Sequence, residues 1–205
     1  MSLSGSDKNS GTKAAPFKTI QKVNGLHLII GDKIYFKAGQ TFQGSLKLVA
    51  GIHGSKDRPI IVSSYGIDNA MIDSKDSAAI RIYKNNYIEF KGLSLRGNGR
   101  KTGNVKNGLA IINCKNIDVS DLDISGFQKS GMLIYSSQYV TANNVFAHDN
   151  GFAGITVESP YPKRESSDIK ILNCRAENNP GDPTNLTNHS GNGIIVGNCK
   201  NVLID

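Results

Sequence analysis

Three groups of residues in this chain combine side-chain type and spacing in a way that suits chemistry. Tyr161-Pro162-Lys163-Arg164-Glu165 sets two cations beside a rigid proline, and Asp182, His189 and Asn192 gather in a second polar segment. A cation that neutralises a carboxylate acidifies the adjacent C–H, and a His, Lys or Arg can then remove the proton. Arg164 and His189 are therefore the candidate catalytic residues, with Lys163 and Asp182 as candidate substrate contacts. The third group alternates along short apolar segments: Arg81 and Tyr83, then Tyr135, then Glu158. Tyrosines so placed can stack on flat ligand faces. Glu158 and Asp182 are the one carboxylate pair that could sit across a bond at the roughly 5 to 9.5 Å that acid–base hydrolysis requires. His148 is a further outward histidine. No metal ligand set and no cofactor is expected, and calcium, which needs a cluster of outward acids, has no support in the sequence.

A repeat must position these residues. Gly108, Gly131 and Gly154 lead Gly-Leu-Ala-Ile-Ile, Gly-Met-Leu-Ile-Tyr and Gly-Ile-Thr-Val-Glu at intervals of 23 residues. Two more apolar pairs follow in each unit, Ile117/Val119 with Leu122/Ile124 and Val140/Ala142 with Val145/Ala147. Residues two apart mark strands, not helices. Upstream the template continues through Ile80/Ile82, Ile88/Phe90 and Leu93/Leu95, with Ala79 in the glycine place. Downstream it runs through Ile155/Val157, Ile169/Ile171 and Cys174/Ala176, then restarts at Gly193 with Ile194/Val196 and Val202/Ile204. A unit this short cannot bury its apolar face alone and must stack on a neighbour. The Leu-x-x-Leu-x-Leu signature of leucine-rich repeats is missing. The expected fold class is all-β, a right-handed parallel β-helix with three strands per coil, the hand following from the rule for parallel crossovers.

Function is expected where coils depart from the template. The segments Leu95–Gly108 and Ala176–Gly193 are longer than the regular corner before a glycine-led strand, and Ser159–Asp168 is an insertion after one. Insertions on both flanks wall in a groove whose floor is the outward residues of the glycine-led strands, from Arg81 and Tyr83 through Leu133 and Tyr135 to Glu158. Tyr83 and Tyr135 fall about 10 Å apart on one row. Asp121, Asn144 and Asn173 share a corner, where stacked polar side chains can bond along the axis. Cys114, Cys174 and Cys199, with no Cys-x-x-Cys spacing, read as core filler.

The net charge of +7 favours an anionic partner. No run of 18 apolar residues exists, so no membrane span is expected. Residues 1–12 read as a flexible lead-in or vector-derived start, residues 13–78 as a cap and first irregular coil, and residues 79–205 as regular coils cut short at the C-terminal end of a longer protein. Within the cap, Pro16–Asn24 reads as an amphipathic helix with Phe17, Ile20 and Val23 on one face. Strands are expected near Leu26–Ile30, Lys33–Lys37, Ser45–Val49 and Pro59–Ser64.

The runs Ala15-Pro16-Phe17-Lys18-Thr19-Ile20, Gly31-Asp32-Lys33-Ile34-Tyr35-Phe36-Lys37-Ala38-Gly39 and Arg58-Pro59-Ile60-Ile61-Val62-Ser63-Ser64-Tyr65-Gly66 resemble the start of bacterial secreted parallel β-helix proteins of the pectate lyase-like superfamily. The resemblance implies the fold and a polysaccharide, expected to be acidic, as partner. It also implies a secreted, periplasmic or cell-surface location, with no nucleic acid bound; a monomer is expected. That superfamily holds lyases, hydrolases and non-catalytic binders, so it does not fix a reaction. A lyase is the first reading, and a hydrolase or a carbohydrate-binding solenoid is the alternative. The paired aspartates and Gly-His-Gly of polygalacturonases are absent.

Overall fold

The computed structural model describes residues 1–101, 105–185 and 189–205. Among the described residues a single helix, α1 (Ile20–Asn24), precedes coils of parallel strands. The first coil carries β1 (Lys33–Lys37), β2 (Thr41–Gln43) and β3 (Leu46–Leu48), and the second carries β4 (Ile60–Tyr65), β5 (Ala70–Asp73) and β6 (Ile80–Tyr83). Then come β7 (Asn86–Arg96) with β8 (Leu109–Ile112), β9 (Lys115–Ser125) with β10 (Met132–Tyr135), and β11 (Gln138–His148) with β12 (Ala153–Glu158). The last described coils hold β13 (Ser167–Leu172), β14 (Arg175–Glu177), β15 (Asn192–Gly197) and β16 (Lys200–Ile204).

Among the described residues all pairing is parallel, and each strand meets its counterpart one coil away. The glycine-led strands form one sheet in the order β15-β12-β10-β8-β6-β3, and the rest form a second sheet along β1-β4-β7-β9-β11-β13-β16. The second and third strands of a coil are continuous in β7, β9 and β11, which bend without breaking. The bend sits at Gly92, Asp121 and Asn144, whose φ values are 59°, 56° and 53°, and Asn173 repeats it at 51°. Glycine, Asp and Asn reach this left-handed region at least cost. The expected ladder is present in part: Asn144 Nδ2 donates to Asp121 Oδ1 at 2.8 Å, whereas Asn173 Nδ2 donates to Asn143 Oδ1 at 2.9 Å and not to Asn144.

The core is a column of inward residues two apart, with Phe36, Phe42, Phe90 and Phe127 its largest fully buried members. Glycine before each glycine-led strand is a steric demand. A Cβ on Gly108 would lie 2.5 Å from both the Gly131 carbonyl oxygen and Ile124 Cγ2. A second buried ladder was not foreseen. Asn150 Oδ1 accepts from the Phe127 N–H at 3.1 Å, Asn150 Nδ2 donates to the Ile124 carbonyl at 3.1 Å, and Asn179 Oδ1 accepts from the Asn150 N–H at 3.0 Å. The cysteines fill the core as read. Cys114 is buried, Cys174 and Cys199 are half-buried, and all three are free thiols.

The N-terminal region departs from expectation. The helix begins at Ile20, not Pro16, because Asp7 Oδ1 accepts the N–H groups of Lys18 and Thr19, both at 2.9 Å, and Thr19 Oγ1 then caps the helix by accepting from Lys22. Ile20 and Val23 are buried against the end of the core, so the capping role stands. The lead-in is anchored at its start: Met1 and Ser2 are buried, and the Lys37 N–H donates to the Met1 carbonyl at 3.1 Å, while residues 10–12 are exposed. Leu26–Ile30 is not a strand. Asp32 Oδ2 accepts from the Ile29 N–H at 2.8 Å, and this local turn competes with ladder pairing.

Candidate functional site

The groove floor follows the predicted register. Lys47, Arg81, Ala110, Leu133, Thr156 and Ile195 are successive partners on one row. Tyr83, Ile112, Tyr135, Glu158 and Gly197 form the next. Over this floor lies an open cleft of about 650 Å³. Leu133, Thr156 and Glu158 form its base, while Lys106, Lys129 and Phe152 rise from three successive corners along one flank.

That flank is tied together by polar contacts. Asn107 Oδ1 accepts from the Ser130 N–H at 3.0 Å, and Ser130 Oγ shares a 2.7 Å hydrogen bond with Thr156 Oγ1. The long loop before β15 is laid back across the previous coils. Arg100 Nη1 donates to the Gly181 carbonyl at 2.9 Å, and the Gly191 N–H donates to the Phe152 carbonyl at 3.0 Å.

Asp182 does not face Glu158 as the sequence suggested. Its side chain is buried and is absent from the cleft lining. Gln128 Nε2 donates to it at 2.8 Å, the Thr184 N–H at 2.9 Å, and Lys129 Nζ lies 3.1 Å from its second oxygen. Burial alone would raise its pKa. The bonds from Gln128 and Thr184 and the Lys129 ammonium outweigh burial and hold the carboxyl well below the usual carboxylate range. Asp182 is thus the clasp that anchors the loop. A depressed folded pKa means that its stabilisation is complete above the unfolded value of about 3.9 and is lost as pH falls below it. Asp182→Asn should cost about 2 kcal/mol at pH 7 and little at pH 2, read by denaturant unfolding at the two pH values. Equal losses at both would contradict the clasp.

Glu158 behaves oppositely. Burial pushes its carboxyl up, and no hydrogen bond to its side chain among the described residues offsets this. A carboxyl whose pKa is raised by burial holds its proton to higher pH than an exposed glutamate, which suits a general acid. Tyr135 is its direct partner on the next coil. Tyr83, farther along the row, has Arg81 and Lys84 over its ring at 5.7 and 5.2 Å from the centroid, so the row ends in a basic, aromatic patch.

Lys163 and Arg164 are exposed on the loop beyond β12, whose base is fixed where Asn198 Nδ2 donates to the Pro160 carbonyl at 2.7 Å. His189 is exposed on the loop before β15. Neither Arg164 nor His189 lines the cleft; they flank opposite ends of the glycine-led strands. His148 lies on another face, with Nδ1 2.6 Å from Asp149 and its ring stacked on Phe146. Lys106, Lys129 and Ser130 were missed in the sequence reading. The signal was available, because Asn107 and Ser130 both stand immediately before a repeat glycine. Among the described residues, no group of three or more His, Cys, Asp or Glu side chains could hold a metal ion. No described helix is long and apolar enough to cross a membrane.

Solved structures share this architecture. A GH136 lacto-N-biosidase from Eubacterium ramulus superposes with a TM-score of 0.68 at 16% identity, over 99% of this chain and 50% of that one. An alginate lyase from Paenibacillus sp. str. FPU-7 gives 0.66 at 19%, over 91% and 72%, and pectate lyase Pel9A gives 0.66 at 20%, over 88% and 47%. The chain therefore spans half the length of the lacto-N-biosidase. At these identities the likeness is one of fold, a right-handed parallel β-helix of the pectate lyase-like kind. No curated protein sequence gives a significant match. The model of the right-handed β-helix region matches residues 60–205, nearly three quarters of the chain, and the protein belongs to that family.

Proposed function

We propose that this chain forms the substrate-binding face of a polysaccharide-active protein acting outside the cytoplasm, and that the chemistry its groove suits best is β-elimination on an acidic polysaccharide. The observation that carries this is the cleft over Glu158, which joins one protonatable carboxyl to two lysines, Lys106 and Lys129. In an elimination, a cation neutralises the sugar carboxylate and a base removes the proton beside it. The electron pair forms a C=C bond as the C–O bond to the next sugar breaks, and an acid protonates the departing oxygen. Lys106 on one flank, with Lys163 and Arg164 on the loop beyond β12, supplies the cations, while Lys129 beside it is already paired with Asp182. The base is assigned to His189, which stands outside the cleft lining on the loop that reaches it through Asn185, and Glu158 protonates the leaving oxygen. Tyr83 and Tyr135 receive sugar rings along the same row. The enzymes named above that act on alginate and pectate support the reading through their shared fold alone.

Hydrolysis is less well supported, because Asp182, the acid that would have paired with Glu158, is committed to Lys129 and Gln128. The test is incubation of the protein with alginate, pectate and glycosaminoglycans, followed by absorbance of unsaturated products. Absorbance is expected with at least one polymer, and Arg164→Ala and His189→Ala should each lower the rate at least tenfold. Binding without unsaturated product would show a carbohydrate-binding solenoid. Full activity in both variants would remove Arg164 and His189 from the mechanism.

A further inference from the structure

The second sheet carries a hollow of its own. On the outward side of β7, β9 and β11 lies a cleft of about 420 Å³, edged by Lys56 and Pro59 and lined by Tyr87, Glu89, Asn116, Asp118 and Tyr139. It belongs to different strands from the cleft over Glu158 and shares no residue with it.

Backbone conformation marks this site. Tyr87, Asn116, Tyr139, Asp168 and Asn201 occupy equivalent positions in five successive coils, and all five have left-handed φ values between 49° and 58°. Asn and Asp enter that region readily, and here they also bond along the axis: Asn116 Nδ2 donates to Asn86 Oδ1 at 2.8 Å and Asn201 Nδ2 to Asp168 Oδ1 at 3.1 Å. A tyrosine at such a position is strained. Tyr139 is 56% exposed, and no described residue hydrogen-bonds its phenol. Strain that the fold does not need is retained at sites where the side chain has a task.

The geometry points to a second glycan-binding site, selective for a neutral oligosaccharide lying along the solenoid axis across Tyr87, Asn116 and Tyr139. The two tyrosines are two coils apart, about 10 Å by strand spacing, which suits rings of one chain stacking on both. Between them, Asn116 offers an amide. Glu89 and Asp118, direct partners on neighbouring coils, offer carboxylates to sugar hydroxyls. The same two acids repel a polymer that carries a carboxylate on each unit, so this face and the lysine-flanked cleft select opposite chemistries.

Titration calorimetry with cellohexaose, mannohexaose and xylohexaose tests the site, with hexagalacturonate as the anionic comparison. At least one neutral hexasaccharide should bind wild-type protein. Tyr139→Asn should weaken that binding tenfold or more, leave hexagalacturonate binding unchanged, and hold or raise the unfolding midpoint, because it installs the residue type used elsewhere in the row. Tyr139→Phe, which keeps the ring, should retain binding. The proposal is overturned if wild-type protein binds none of the three, if Tyr139→Asn binds as well as wild type, or if Tyr139→Asn lowers the unfolding midpoint and so shows the ring to be structural. Loss of elimination activity with neutral binding intact would remove the proposed reaction and leave this site standing.

Discussion

Glu158→Gln is expected to lower the rate of product formation about 100- to 10,000-fold while changing KM little, since general acid catalysis contributes that much and acts in the transition state. The amide keeps the shape of the carboxyl and removes only its transferable proton. The pH profile supplies the sign. Glu158 acts in its protonated form, so the wild-type rate should fall as pH rises through its pKa. Burial displaces that fall above the range of an ordinary glutamate. In Glu158→Gln this fall should vanish from the residual activity. Initial rates across pH on one polymer decide the matter, and an unchanged profile would show that Glu158 does not deliver the proton.

A loss of about 3 kcal/mol is expected for Asn150→Leu, which leaves a buried N–H and a buried carbonyl without their partner at roughly 1 to 3 kcal/mol each. The side chain is fully buried and serves Phe127 and Ile124 from the coil above. Leucine matches its size and supplies neither donor nor acceptor. Because coils interact with nearest neighbours only, amide exchange should quicken most between Ile124 and Gly131 and between Ala147 and Gly154. Denaturant unfolding and exchange together measure this. A loss below about 0.5 kcal/mol, the range of ordinary surface substitutions, would mean that the ladder is replaceable.

The repeat was legible because it is enforced at short range. A side chain at Gly108 collides with the next coil, and inward residues must alternate, so both leave a regular trace in the sequence. The groove floor followed directly, with Arg81, Leu133 and Thr156 on one row as the register required. What escaped depends on partners remote in sequence. The helix start is set by Asp7 reaching Lys18 and Thr19. Asp182 is claimed by Gln128, 54 residues away. As a lone acid in a polar loop it looked available for ligand, and only the folding of that loop onto the earlier corner withdraws it. Lys106 and Lys129 each stand two residues before a repeat glycine, but their meaning comes from the successive corners they occupy over Glu158.

The most direct test of the account is hydrogen exchange of the protein with and without saturating oligouronate, chosen from whichever polymer yields product or binds. Protection is expected in Lys129–Tyr135 and Phe152–Glu158, the strands and corners around Glu158, and none around Tyr87 and Tyr139. Protection confined to the second sheet, or absent from both segments, would contradict the assignment of the glycine-led face as the acidic-polysaccharide site.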